Sequence, residues 1–133
     1  MFSLDASNDV HAYTALSDGF SDAIVGLTAA ECTDSHIKPV AHTGLAAVRT
    51  TSNGRLYYLD EENEIIEYRW TQGKPGAQIG LGTFALPGSK IDAVAYGKEG
   101  DDNIRLFFQN ADGALCGKIY TGGRWSHPDV LVS

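Results

Sequence analysis

The sequence predicts an all-β protein, and three observations lead to that prediction. Short runs of aromatic and β-branched residues recur along the 133-residue chain and are separated by tight polar turns. The pattern returns after about 50 residues, which is the size of a four-stranded antiparallel unit. Fifteen glycines against four prolines fit a chain with many turns. We therefore expect blades of a β-propeller.

The repeat is clearest in two copies. Residues 55–60 (Arg-Leu-Tyr-Tyr-Leu-Asp) correspond to residues 105–110 (Arg-Leu-Phe-Phe-Gln-Asn), 50 positions later, and the match continues from Trp70 to Tyr120. For the strands before this loop, the two copies lie fewer positions apart. The extra residues of the longer polar loop at 97–103 account for the difference.

Within each copy, the local signals predict a β-hairpin. The runs at 55–59 and 104–109 each lead into a polar turn and a second apolar run. Asn63 and Gly113 stand where such a turn needs a positive φ, which both residue types tolerate. The remaining strands of a four-stranded antiparallel blade are predicted at 45–49, 77–81, 91–96 and 129–132.

A third, weaker copy opens the chain and lacks a position that matches Arg55. The prediction is one domain, residues 1–133, with blade-like repeats at about 1–28, 45–82 and 90–133. Residues 29–44 are predicted to form a long loop or an irregular strand. A different division of the chain into repeats, in which a degenerate blade begins at Asp22, stays open.

The number of blades predicts assembly. A blade buries both faces against neighbours, and closed rings commonly have about four to eight blades. Since this chain carries about two and a half to three, we expect a homo-oligomer that completes the ring, or a longer protein of which the chain is a part. A dimer with three blades per chain or a trimer with two would both give six.

Charge and composition disfavour several classes of function. Ten basic and seventeen acidic residues give a net charge of −7, which disfavours nucleic-acid binding. No apolar run approaches the ~20 residues of a membrane span, so membrane insertion is not expected. No signal peptide is visible, which favours a cytoplasmic or non-classically secreted protein and leaves the localisation open. Cys32 and Cys116 can form a bridge or remain two buried thiols.

No cofactor or metal site is expected. The four histidines have no ligand spacing typical of zinc, and the acidic run at 60–64 lacks the positions of a calcium loop. No serine stands in the setting of a hydrolase nucleophile. Only Glu67 has a placed structural role among the carboxylates, and glycoside hydrolysis uses a pair. We therefore expect a protein that is not an enzyme.

The order and spacing of the repeat motifs resemble blades of the fungal fucose-specific lectins. The resemblance rests on 45–48, 55–58 and 65–70 in one copy and the same layout across 91–125 in the other. It implies a six-bladed propeller that binds fucose in pockets between adjacent blades.

The resemblance also implies which residues form the pockets. In that family, a pocket takes an Arg and a Glu twelve residues apart from one blade and aromatic residues from a neighbouring blade. Arg55 and Glu67 have this separation, whereas Gly117 takes the Glu position that goes with Arg105. One pocket is therefore expected to keep both polar residues.

The aromatic residues follow the Glu position by three and by eight, which selects Phe20, Trp70, Tyr120 and Trp125. If they come from the preceding blade, Phe20 faces Arg55 and Glu67, and Trp70 faces Arg105. Tyr120 and Trp125 then face a pocket that a partner chain completes.

The chemistry of these residues suits a deoxysugar. The guanidinium group of an arginine donates hydrogen bonds in a fixed geometry and the carboxylate of a glutamate accepts them, so together they recognise a cluster of hydroxyls. An aromatic ring covers the apolar face that carries the methyl group. The expected function is recognition of L-fucose or fucosylated glycans. The first alternative is a protein-interaction scaffold with degenerate sugar sites, in which Arg55 and Glu67 form a simple cross-strand salt bridge. A glycosidase fragment is the second.

Overall fold

The structure is a computed structural model that describes residues 2–4, 10–12, 14–16, 19–21, 39–51, 53–71, 74–98 and 102–133. Its regular secondary structure in these ranges is entirely β. The strands are β1 (Phe2–Leu4), β2 (Val10–Ala12), β3 (Thr14–Leu16), β4 (Gly19–Ser21), β5 (Ala46–Arg49), β6 (Gly54–Leu59), β7 (Glu64–Thr71), β8 (Lys74–Phe84), β9 (Asp92–Tyr96), β10 (Asn103–Gln109), β11 (Leu115–Thr121), β12 (Arg124–Trp125) and β13 (Asp129–Val132). In this described part of the chain, no helix is long and apolar enough to cross a bilayer.

Two antiparallel sheets correspond to the two clear repeats. The first has the order β5-β6-β7-β8, and in the second β9, β10 and β11 follow one another while β12 and β13 both pair with β11. This arrangement confirms the prediction of antiparallel propeller blades. The hairpin turns have the predicted backbone, with φ of 63° at Asn63 and 79° at Gly113. Strand β8 runs well beyond the predicted 77–81, because it pairs with β7 from Glu64 to Thr71.

The core lies between these two sheets. Strands alternate their side chains between two faces, so residues two apart point the same way. Tyr57, Leu59 and Ile65 of the first sheet pack against Ile104 and other apolar residues of the second, in one buried cluster. The apolar run of each hairpin thus covers one face of its neighbour, which is how stacked blades bury their sheets.

The beginning of the chain forms two short antiparallel pairs, β1 with β2 and β3 with β4. In the second pair, Ala15 lies opposite Phe20. Residues 22–38, with the alternative blade start at Asp22 and with Cys32, lie outside the described residues. Cys116 is a buried free thiol.

Candidate functional site

The candidate site is built on a buried ion pair between neighbouring strands. Arg55 on β6 and Glu67 on β7 point to the same face of the sheet, and their side chains are 1% and 0% exposed. The Arg55 Nη1 donates to Glu67 Oε2 over 3.1 Å. Because removing one partner of such a pair leaves an uncompensated buried charge, each residue depends strongly on the other.

Two more side chains complete the hydrogen bonding of Glu67. The hydroxyl of Tyr57 donates to Oε2 over 2.9 Å, and Arg69 donates to Oε1 through Nε at 3.2 Å and Nη2 at 2.6 Å. Tyr57 lies two residues after Arg55 on β6, and Arg69 lies two residues after Glu67 on β7. The carboxylate is thereby held in one orientation.

The guanidinium of Arg55 is positioned from its other side as well. Its Nε donates to Asn53 Oδ1 over 3.0 Å, and its Nη2 lies 3.9 Å from Asp102 Oδ2. Asp102 precedes β10, so the second sheet already contributes to the surroundings of the ion pair.

Aromatic side chains of the second sheet cover this polar group. The guanidinium carbon of Arg55 lies 4.2 Å from the centre of the Tyr120 ring. Trp125 packs edge-on against Tyr57 at 5.9 Å between ring centres and lies 5.3 Å from Tyr120. The indole N–H of Trp125 is buried and has no hydrogen-bond partner within the described part of the chain. A buried donor of this kind costs free energy until a partner reaches it.

The surroundings of the site keep Arg55 charged and Tyr57 protonated. Burial opposes the charge of Arg55, but the attraction of Glu67, together with the neighbouring Tyr120, outweighs it and raises the pKa of Arg55 above its ordinary value. Burial, with the negative charge of Glu67, raises the pKa of Tyr57 as well, so its hydroxyl stays protonated and donates to Glu67.

A model of the fungal fucose-specific lectin family matches residues 10–133. The chain belongs to the fungal fucose-specific lectins. A search of curated proteins finds no match to this lectin sequence.

Solved structures similar to this lectin share its fold. A triple arginine-to-alanine mutant of AofleA from Arthrobotrys oligospora is 20% identical with a TM-score of 0.78, over 99% of this chain and 39% of that chain. The Aleuria aurantia lectin, described as a six-bladed β-propeller with a novel mode of fucose recognition, is 17% identical with a TM-score of 0.71, over 94% and 41%. The lectin chain described here thus spans well under half the length of these relatives.

A third similar structure has a chain of matching length. It is a fucose lectin from Kordia zhangzhouensis in complex with methyl-fucoside, 18% identical with a TM-score of 0.61, over 99% of this chain and 98% of that chain. Identities this low show the fold, and the fold is that of β-propeller lectins.

The structure corrects the expected direction of the aromatic contacts. The sequence predicts that Tyr120 and Trp125 face a pocket that a partner chain completes, but Tyr120 lies over Arg55 and Trp125 packs on Tyr57 of their own chain. In the described part of the chain, the candidate site therefore combines Arg55 and Glu67 with side chains of the following repeat. The reason is strand alternation: Arg55, Tyr57 and Glu67 point to the face that packs on the second sheet.

The expected pairing of Trp70 with Arg105 is wrong for the same reason. Trp70 stacks on Tyr68, with 6.0 Å between ring centres, on the sheet face opposite to Arg55. Arg105 alternates with the buried Ile104 and Leu106, so it is exposed on the far face of the second sheet. The side chain of Phe20 lies outside the described residues.

Sequence reasoning missed Tyr57, Arg69, Asn53 and Asp102. For Tyr57 and Arg69 a signal was present, since each is two residues after Arg55 or Glu67 on the same strand and therefore shares its face. Asn53 and Asp102 come from segments outside the strands, where no periodicity operates. Across the described residues, no three of His, Cys, Asp and Glu cluster in a way that could hold a metal ion.

Proposed function

We propose that this chain binds L-fucose or fucosylated glycans where Arg55 and Glu67 meet Tyr120 and Trp125. One observation carries the proposal: in a member of the fucose-specific lectin family, a buried Arg–Glu pair of one repeat lies under Tyr120 of the next, and Trp125 packs beside that ring. The junction between repeats is therefore the proposed pocket.

The arrangement fits the two sides of a fucose ring. Arg55 supplies several N–H donors in a rigid fork, and Glu67 supplies acceptors in a fixed orientation, so together they match a set of neighbouring hydroxyls. Hydrogen bonds to charged groups contribute about 1.5–3 kcal/mol each. Tyr120 and Trp125 provide apolar surface for the methyl-bearing face, and the unpartnered indole N–H of Trp125 is a donor available to a ring or hydroxyl oxygen.

We propose binding without turnover. Glycoside hydrolysis needs one carboxylic acid that gives up a proton and a second carboxylate that attacks or activates water. Glu67 accepts hydrogen bonds from two arginines and a tyrosine, so the carboxylate is held as a hydrogen-bond acceptor in one orientation. A chromogenic fucoside should accordingly remain uncleaved.

The far face of the second sheet supports assembly into a ring. Arg105, Val94 and Tyr96 are exposed on this face, although the corresponding face of the first sheet is buried by its neighbour. Leu115 and Val132 extend the apolar surface. Surface of this kind marks an interaction site.

The first repeat of a second copy is the proposed occupant of that face. Ala15 lies opposite Phe20 in the β3–β4 pair just as Tyr120 lies opposite Trp125 in the β11–β12 pair. When two copies pack head to tail, Phe20 of one copy is therefore brought toward Arg105 of the other. Within one chain, Trp125 is brought toward the Arg55 region in the same way. The result is a homo-oligomer, a dimer or trimer, that closes the propeller.

A glycan array with free L-fucose as competitor tests the binding proposal. We expect the protein to bind fucosylated glycans, L-fucose to inhibit this binding, and Glu67→Gln to abolish it while near-ultraviolet circular dichroism shows an intact fold. Arg49→Ala is the matched control, because Arg49 is exposed on the opposite face of the same sheet. Absence of binding by a folded, assembled sample contradicts the proposal and leaves the interaction scaffold.

Sedimentation equilibrium tests the assembly. The expected mass is that of two or three chains of 14.3 kDa each. Val94→Asp places a charge on the exposed far face and should shift the protein toward the monomer. A monomeric parent protein that binds fucose contradicts ring closure and leaves the pocket proposal standing.

A further inference from the structure

Arg69 occupies the solvent side of the candidate pocket. It forms a forked contact with one oxygen of Glu67, through Nε and Nη2, and its guanidinium carbon lies 5.8 Å from the centre of the Tyr120 ring. Its side chain is 33% exposed, whereas those of Glu67 and Arg55 are essentially inaccessible. A ligand that approaches Glu67 from solvent therefore meets Arg69 first.

The hydrogen bonding of Glu67 is already complete. A carboxylate offers about four lone-pair positions. Oε2 accepts from Arg55 and Tyr57, and Oε1 accepts twice from Arg69. A sugar hydroxyl cannot donate to this carboxylate unless one of these donors leaves.

Arg69 is the donor that can leave. Arg55 is held by Asn53 and by the Tyr120 ring, and Tyr57 is wholly buried. Breaking a partly exposed ion pair costs little, whereas removing one partner of a buried pair is strongly destabilising, and the released guanidinium regains water. The hydrogen bonds of Arg69 to Oε1 can therefore be exchanged for a bond from a ligand, whereas those of Arg55 and Tyr57 to Oε2 remain.

We infer that Arg69 is a specificity-determining gate of the pocket. In the unliganded protein it covers Glu67, and a ligand hydroxyl replaces it on Oε1 when the sugar binds. A ligand that only stacks on Tyr120 and Trp125 offers no donor to Oε1 and leaves the gate closed. The inference rests on the proposed function, because it takes Glu67 as the acceptor of a fucose hydroxyl.

Calorimetric titration of the full chain with L-fucose tests the gate. Arg69→Met keeps much of the side-chain length but removes all donors, so the sugar no longer competes for Oε1. We expect binding about fivefold to tenfold tighter, where tenfold corresponds to about 1.4 kcal/mol. Arg49→Met removes one charge on the opposite sheet face and should leave the affinity unchanged.

A second measurement keeps the inference testable if Arg69→Met does not fold. The Nε–H resonance of Arg69, assigned by comparison with Arg69→Lys, should shift toward the position of a solvated arginine when the wild-type protein is saturated with L-fucose. A resonance that does not move overturns the gate.

The outcomes separate the gate from the function beneath it. Tighter binding by Arg69→Met supports the gate. Equal or weaker binding, with a wild-type protein that binds fucose, overturns the gate and leaves the proposed function intact. If neither protein binds fucose, both the gate and the proposed function are overturned.

Discussion

The guanidinium carbon of Arg55 lies 4.2 Å from the centre of the Tyr120 ring, and this contact joins two repeats across the candidate pocket. Cation–π contacts contribute about 0.5–2 kcal/mol, with the larger values at desolvated positions. The residues of the candidate pocket are thus also residues through which one repeat packs on the next. Substitutions here affect sugar binding and stability together, and tests must measure both.

Trp125→Phe should weaken fucose binding without disrupting the site. Phenylalanine keeps an aromatic ring near Tyr57 and Tyr120 but removes the unpartnered indole N–H. Loss of one neutral hydrogen bond corresponds to about 1 kcal/mol, or about a fivefold weaker affinity. Calorimetric titration with L-fucose measures the change. Trp70→Phe is the control for this pocket, and an equal effect of both substitutions would contradict the assignment of Trp125.

Gly54→Ala should destabilise the first sheet through Trp70. A Cβ at Gly54 would collide with the Trp70 ring, which is stacked on Tyr68. Overpacking of this kind costs about 1–3 kcal/mol. Denaturant unfolding measures the loss, and the double substitution Gly54→Ala with Trp70→Leu should recover part of it. If the double variant recovers no stability, the loss does not come from a collision with the Trp70 ring.

Lys118→Ala should destabilise the contact between the two sheets. The buried ammonium group of Lys118 donates to Thr83 Oγ1 over 2.7 Å and to the carbonyl of Leu81 over 3.3 Å, across from β11 to β8. Alanine leaves both acceptors without this donor and leaves a cavity, at a cost of about 2–4 kcal/mol. Unfolding by guanidinium chloride measures it, and stability equal to that of the parent would contradict the role of this link.

Alkaline pH should destabilise the protein through its buried tyrosines. Burial raises the pKa of Tyr57 and of Tyr58 above the ordinary value of 10.0. A group with a raised folded-state pKa contributes stability that is complete below its unfolded value and declines as the pH rises above it. We therefore expect the free energy of unfolding to fall above pH ~10 by about 1.4 kcal/mol per pH unit for each tyrosine.

One buried lysine acts in the opposite direction. Burial lowers the pKa of Lys118, so its desolvation penalty is relieved as the pH rises toward the ordinary value of 10.5, and above that value its contribution is constant. Above pH 10.5, where the contribution of Lys118 is constant, Tyr57→Phe should halve the alkaline slope, because Tyr58 remains. Urea unfolding at three pH values between about 10.6 and about 11.6 checks this, and an unchanged slope would rule out Tyr57 as its source.

Much of the fold is predictable because it follows from local patterns. Alternating apolar residues and turn residues such as Asn63 and Gly113 mark the strands and hairpins directly, and the 50-residue repeat shows that they form equivalent sheets. The pairing of Arg55 with Glu67 is expected from the resemblance to the lectin blades, and the hairpin places the two residues on neighbouring strands of one sheet.

The partners from other segments are harder to predict because the order of packing is not a local property. Nothing in the spacing shows whether Tyr120 packs on the sheet before it or after it. Strand alternation places Arg55 on the same face as Tyr57 and Leu59, but only the structure shows that this face packs on the second sheet. Asp102 comes from a loop, where no such rule applies.

A crystal structure of the protein with methyl-fucoside tests the central claim most directly. The claim predicts a sugar on the solvent side of the candidate pocket, against Tyr120 and Trp125, with one hydroxyl on Glu67 Oε1 in place of Arg69. A sugar bound elsewhere, with the contacts of Glu67 unchanged, would contradict it.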